Sequence, residues 1–515
     1  MPPEPQKTNG DPRPPRQAVI LIHGIGEQRP MATLRAFVDA FLEPGSFYSK
    51  PDKISGSYEL RRIKLRRIAG TPALNREWPE TDFYEYYWAH QMYGTRVAHV
   101  INWLRLLMVR GARAAWRKEL GRDVYNGRLK WMVLVAWLAV PIGLAVAIWF
   151  VVRQPLTALA ASAAMTASFV LWQRLIAPIV GTAITDVVGD AARYLDVSPQ
   201  NVARRYDIIR GGIDMLRELH NQKDECKSKG LIRYQYGRVV IVGHSLGSLI
   251  AFDVIRHFWA EVNGNLQVEP GDLDCVERFD GGNALPPGSG LETHNKPDAF
   301  RSDQRRCWRK ANAWWLGHQD VAGEEAGRPG RARWLVTDLI TVGSPLTYAA
   351  LLLADGSVDL AEKMALRELP TCPPDRSKHV NKGRFTVSLA EEASRFINYS
   401  ILGHQAPFAI TRWTNMFFSN DPIGGSLKGV FLRGIKEREL TPVRWRPMAA
   451  HVSYWKTRNH RAVTAAADSI QWIRQILTLD VTSECDAPEC LENCDDAQDR
   501  PGGSPLRPAS PPPTR

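Results

Sequence analysis

Residues 238–260 read RVVIVGHSLGSLIAFDVIRHFWA. A β-branched apolar run reaches Gly243 and His244, and an amphipathic run starts at 246. Almost nothing is left between them for a loop. The expected unit is therefore a buried strand, a tight turn at Ser245 and a helix. Other short apolar runs bounded by Gly or Pro read as buried strands: 17–23 (QAVILIH), 334–343 (WLVTDLITVG) and 408–418 (FAITRWTNMFF), with an aromatic-rich strand at 81–88 (DFYEYYWA). Amphipathic stretches at 31–42, 199–221, 246–260 and 459–478 separate them. This alternation predicts an α/β fold, a mostly parallel sheet with helices on both faces.

The chain has 515 residues, 44% hydrophobic and 23% charged, enough to bury a large core without a disulfide or metal staple. Residues 1–16 and 481–515 are Pro-rich and polar and read as a disordered arm and tail. The α/β domain is expected in two parts, 17–94 and 191–480, the second carrying irregular inserts at 262–332 and 354–400. The N-terminus, MPPEPQKTNGDPRPPR, has no apolar core of the kind a cleavable signal needs. Seven cysteines are too sparse for a disulfide scaffold. Cys485, Cys490 and Cys494 sit in a tail with no His and no fourth thiolate, so no metal site is expected. Lys and Arg exceed Asp and Glu by 12, which favours an anionic surface. No nucleic-acid motif is present, and the expected partner is a lipid bilayer rather than nucleic acid.

Residues 95–190 are different in kind. The run 131–152 (WMVLVAWLAVPIGLAVAIWFVV) carries no charge. As a helix it would reach about 33 Å, enough for a ~30 Å hydrocarbon core. Arg153-Gln154-Pro155 follows, then a second apolar run at 156–172, rich in Ala, Ser and Thr, which suits close helix contact in lipid. Together they predict an inserted transmembrane helical hairpin. Arg105, Arg110, Arg113, Arg117, Lys118, Arg122, Arg128 and Lys130 precede the first span, and Arg153 alone lies between the two. The positive-inside rule then puts both ends in the cytoplasm of an inner membrane. The mixed basic and apolar stretch 59–68 reads as a solvated strand or helix face or as a contact with anionic lipid headgroups, and 95–118 reads as a helix in the headgroup layer. Trp308, Trp314 and Trp315, beside Arg305, Arg306, Arg309 and Lys310, read either as an interfacial lid or as the packing of an insert.

Gly243-His244-Ser245-Leu246-Gly247 places a serine where strand meets helix. There a hydroxyl projects from the turn while the helix N-terminus offers free N–H groups. A serine needs a base, and an oxyanion needs donors. The first strand ends at His23-Gly24-Ile25-Gly26, so the N–H groups of Ile25 and Leu246 are the candidate oxyanion donors. His23, Gly24, Gly26, Gly243, His244 and Gly247 would shape the supporting loops. On this topology the chain order is Ser, acid, His. In the run NMFFSNDPIG (415–424) a strand ends and Asp421 follows it, before Pro422; His451 comes 30 residues later in AHVSYW. Asp338, within a predicted strand, reads as an internal hydrogen-bond partner. Asp320 and His460 are the weaker rivals for acid and base.

The set HGIGEQ (23–28), GHSLG (243–247), VGSPL (342–346), SNDPIGG (419–425) and HVSYW (451–455) resembles the α/β-hydrolase superfamily. It looks closest to lipase-like and GPI-inositol-deacylase-like members and to bacterial membrane-associated hydrolases with an HGIGEQ loop. The resemblance implies a Ser245–His451–Asp421 triad, no metal or organic cofactor, and hydrolysis of a lipid or other acyl ester. Thioester hydrolysis or acyl transfer on the same triad, or an inactive membrane-anchored scaffold, are the alternatives.

Overall fold

The structure is a computed structural model. It describes residues 16–24, 29–42, 45–55, 59–65, 80–92, 194–195, 199–226, 231–268, 297–312, 332–374, 384–391, 395–421, 423–440, 450–455 and 463–477. Both expected spans, 131–152 and 156–172, lie outside these residues. Among the described residues no helix is long and apolar enough to cross a membrane.

The first strand, β1 (Arg16–Ile22), is followed by α1 (Ala32–Phe41) and by β2 (Phe47–Pro51), β3 (Arg61–Leu65) and β4 (Thr81–Tyr86). After α2 (Pro199–Asn221) and a small hairpin of β5 (Lys223–Cys226) and β6 (Leu231–Tyr234) comes β7 (Tyr236–His244), joined directly to α3 (Leu246–Val262). The chain continues through β8 (Gln267–Val268), α4 (Pro297–Ala311), β9 (Val336–Val342), α5 (Ser357–Ala365), β10 (Arg384–Glu391) and β11 (Arg395–Leu402). It then adds β12 (Arg412–Phe418), β13 (Lys436–Leu440) and α6 (Val463–Ile476).

Eight strands form the main sheet in the order β13-β12-β9-β7-β1-β4-β3-β2. The six from β13 to β4 run parallel, and β3 and β2 extend the edge antiparallel. The fold is therefore α/β with a mostly parallel sheet. Side chains alternate faces along a strand, so β1 feeds two cores at once. Ala18, Ile20 and Ile22 pack with Ile208 and Leu216 of α2 and Leu249 and Phe252 of α3. Val19 and Leu21 pack with Leu34, Phe37 and Phe41 of α1 and Ile473 of α6. After β1 the chain builds the β4-β3-β2 side; after β7 it builds the β9-β12-β13 side. The two neighbouring strands thus lead away in opposite directions, and such a switch point is where open α/β sheets place a site, beyond the C-terminal ends of the strands.

Several expected boundaries move. The run 408–418 begins as a 3₁₀ turn at Pro407–Ala409, and the strand starts at Arg412; Phe408 is apolar because its ring stacks on Trp413, centroids 4.6 Å apart. The last strand of the sheet, β13, carries four charged residues out of five because it forms the sheet edge. The stretches read as irregular hold ordered elements: α4 within 262–332, and α5, β10 and most of β11 within 354–400. Residues 61–65 of the basic stretch form β3, with Ile63 buried and Arg62 reaching Asp82 at 3.2 Å rather than facing solvent alone. Trp308 lies in the core, its indole N–H donating to the carbonyl of Trp334 at 2.6 Å. Trp314 and Trp315 lie outside the described residues.

Candidate active site

The turn between β7 and α3 is tight enough to force Ser245 to φ 53° and ψ −126°. A positive φ is costly for a residue with a Cβ and persists only where neighbours hold it. Here they do. The Ser245 N–H donates to the carbonyl of Val342 at 3.0 Å, and its own carbonyl accepts from the N–H of Ser248 at 2.9 Å. The flanking glycines exist for contact: a Cβ on Gly247 would stand 2.2 Å from the carbonyl oxygen of Ile22, and one on Gly243 would stand 2.6 Å from the Cα of Ser248. Any side chain at either position would push β7, α3 and the end of β1 apart.

This turn brings together residues that lie up to 206 positions apart. The Oγ of Ser245 is 2.8 Å from Nε2 of His451. Nδ1 of the same ring is 2.9 Å from Oδ2 and 3.1 Å from Oδ1 of Asp421. A carboxylate only accepts, so Nδ1 carries the proton and the Nε2 lone pair faces the serine hydroxyl. Asp421 follows β12 in a turn where its N–H donates to the Phe418 carbonyl at 3.0 Å. His451 lies in the short described segment 450–455 that precedes α6. Ser245, Asp421 and His451 are each 4–5% exposed, so the relay is screened from bulk water.

Burial opposes the charge on Asp421. Hydrogen bonds from His451, Tyr454 and the Ile423 N–H outweigh it and hold the carboxyl below its ordinary range. Room for the carboxylate comes from Gly343, at φ 57° just beyond β9. A Cβ there would meet the Tyr454 ring at 2.8 Å, Asp421 Oδ2 at 3.1 Å and His451 Nδ1 at 3.2 Å.

Two further histidines flank the relay, and burial keeps both neutral. His244 is held down at about 3, by burial first and by the neighbouring His451 second. Its ring stacks on that of His451 with centroids 5.2 Å apart, and its Nε2–H donates to the His451 carbonyl at 2.9 Å. His23 is held down at about 4 by burial; its ring stacks on Trp88, and Nδ1 meets the Gly24 carbonyl at 2.8 Å. It lies beside the relay but bonds to none of its members, in keeping with a loop-shaping role. Gly24 packs against the nucleophile turn, since a Cβ on it would stand 2.9 Å from the Cβ of Ser245.

Of the two candidate oxyanion donors, Leu246 is the first residue of α3, where an N–H has no intrahelical acceptor. Ile25 and Gly26 lie outside the described residues, as do the rivals Asp320 and His460. Asp338 is at the far end of the sheet, ion-paired to Arg238 at 2.7 Å and to Arg412 at 2.8 Å, and takes no part in the relay. Two contributors had no role assigned from sequence, Tyr454 and Gly343. Their signal was present in the motifs HVSYW and VGSPL, but an aromatic residue in an apolar stretch and a glycine after a strand are ordinarily core and turn residues.

A hydroxyl, a neutral imidazole and a carboxylate in this arrangement can move a proton from oxygen to nitrogen and stabilise the imidazolium that forms. Comparison with family models, with curated proteins and with solved structures finds no match for this chain.

Proposed function

We propose that the chain is a membrane-anchored serine hydrolase of acyl esters, with an α/β-hydrolase domain on the cytoplasmic side of an inner membrane. One observation carries the reading: the continuous relay from Ser245 Oγ through His451 to Asp421, at 2.8 and 2.9 Å. The sheet supports it. The serine follows β7, the carboxylate follows β12, and the imidazole comes last, which is the chain order of that superfamily.

In this reading Ser245 Oγ attacks the ester carbonyl carbon as His451 Nε2 takes the hydroxyl proton. Asp421 holds the Nδ1–H and balances the imidazolium. The N–H of Leu246 and that of Ile25 receive the charge on the tetrahedral oxygen, each donor typically worth about 2.7–4 kcal/mol of barrier. His451 then returns its proton to the leaving alcohol. Water, activated by the same nitrogen, releases the acid from the acyl-serine. The uncharged run at 131–152 favours a substrate delivered from the bilayer, a lipid or another apolar ester.

The test is covalent labelling of the full chain with a fluorophosphonate probe. The wild type takes up one probe per chain and Ser245→Ala takes up none. A well-folded wild type that stays unlabelled removes the enzyme and leaves an anchored scaffold.

A further inference from the structure

The carboxylate of Asp421 takes a hydrogen bond from a side chain outside the relay. Tyr454 stands three positions after His451, 1% exposed, its ring packed on Phe418 with centroids 4.6 Å apart. The phenol oxygen is 3.2 Å from the backbone nitrogen of Phe418 and 2.6 Å from Asp421 Oδ2. An N–H can only donate, so the phenol oxygen accepts from Phe418 and its single proton is left for the carboxylate. The same Oδ2 is the oxygen nearer to His451 Nδ1. Phenol and imidazole therefore draw on one oxygen. The arrangement is anchored from behind, where the Ser469 hydroxyl of α6 donates to the Tyr454 carbonyl at 2.6 Å.

We propose that Tyr454 is a positioning residue that sets the basicity of His451 by drawing negative charge from Asp421 Oδ2. The inference rests on the relay being the working site proposed above. A carboxylate whose charge is partly taken by a phenol stabilises an imidazolium less, and removing the phenol returns that charge to the ring. Among the described residues, the groups facing His451 leave this control to one pair. From the end of β7 come the Ser245 hydroxyl and the neutral His244 ring, and from the end of β9 comes Gly343, which has no charge. The loop after β12 contributes Asp421, and the phenol of Tyr454 stays protonated because burial and the adjacent Asp421 charge raise it well above the usual tyrosine range.

The experiment needs no natural substrate. The second-order rate of inactivation by a fluorophosphonate is measured across pH on the full chain. Its acid limb reports the ionisation of His451. In Tyr454→Phe the midpoint of that limb moves up by about half to one pH unit, because the carboxylate charge turns wholly to the imidazole. A 3-fluorotyrosine placed at position 454 is a stronger donor and moves the midpoint down, and its near-native shape keeps the test valid if the phenylalanine variant folds poorly. Opposite shifts support the proposal. An unmoved midpoint, or both variants shifting the same way, overturns it even if thermal stability falls, since a purely structural tyrosine leaves the limb in place. An unlabelled wild type brings down the hydrolase reading and this inference together; a labelled wild type with an unmoved limb brings down this inference alone.

Discussion

Two buried aspartates sit at opposite ends of the same sheet, and both are held in the charged form by different means. Asp338, near the start of β9, is fully buried among guanidiniums: Arg238 at 2.7 Å, Arg412 at 2.8 and 2.9 Å, and Arg301 at 3.9 Å. Burial works against its charge, and the cations of Arg412 and Arg238 overcome that and push its carboxyl far below the usual range. Asp421 lies beyond the other end of the strands, five residues of β9 away, roughly 16 Å at the rise of an extended strand. No cation pairs with it among the described residues. Its donors are a tyrosine, a backbone N–H and a histidine. Permanent cations lock a carboxylate and leave nothing for it to do. Neutral donors keep it ionised while reserving its attraction for a ring that can gain a proton.

The largest effect that sharpens this contrast is at Asp421. Asp421→Asn keeps the shape but offers His451 Nδ1 an ambiguous partner, and the ring loses both its tautomer and its counter-charge. Fluorophosphonate labelling should slow by on the order of 10⁴-fold, the size of loss that amide substitution causes in Ser-His-Asp triads. Thermal stability should change far less, because the site loses no cation pairing.

At Asp338 the pattern should invert. Asp338→Asn leaves Arg238, Arg412 and Arg301 crowded together without a counter-charge, which should cost about 3–5 kcal/mol of stability. The readout is the thermal midpoint, with the labelling rate per folded molecule nearly unchanged. The sign with pH follows from the depressed carboxyl: its stabilisation is complete above the unfolded range near 4 and is lost as pH falls through the folded value. If Asp338→Asn stops labelling in a folded protein, the two ends of the sheet are coupled and the contrast fails.

How much of this could be read beforehand differs between the two regions. Ser245, Asp421 and His451 were legible because this topology sets the chain order Ser, acid, His and each stands where an apolar run breaks off. The strand that carries Asp338 was equally legible, and so was a hydrogen-bonded role for that residue. Its arginine partners were not, because they are set by register: Val240 and Arg412 both align with Asp338, and only the folded sheet brings Arg238 and Arg412 beside it. Tyr454 was hidden for the opposite reason. An aromatic residue in an apolar stretch is usually core, and nothing local says where its hydroxyl points. The edge strand β13 reads KEREL, with no apolar alternation to betray it, because an edge strand need bury only one end.

A third buried carboxylate extends the comparison and carries the smallest expected effect. Among the described residues Glu85 of β4 pairs with neither a cation nor a histidine; its Oε2 accepts the Met31 N–H at 2.6 Å, at the entry to α1. Burial raises it to about 7, against hydrogen bonds from the Met31 and Leu34 N–H groups. The sign is therefore opposite to that of the two aspartates. Between pH 4.5 and 7 the folded chain binds more proton than the unfolded one, so stability falls as pH rises across that window, by up to about 3 kcal/mol. The buried neutral histidines His23, His220 and His244 tilt the curve the other way, but they are common to wild type and variant. In Glu85→Gln the amide oxygen can still cap Met31 and cannot ionise. The thermal midpoint of the variant should gain on the wild type from pH 5 to pH 7.5. Parallel curves would mean that Glu85 finds enough compensation to titrate normally, and that burial alone does not separate this carboxylate from the other two.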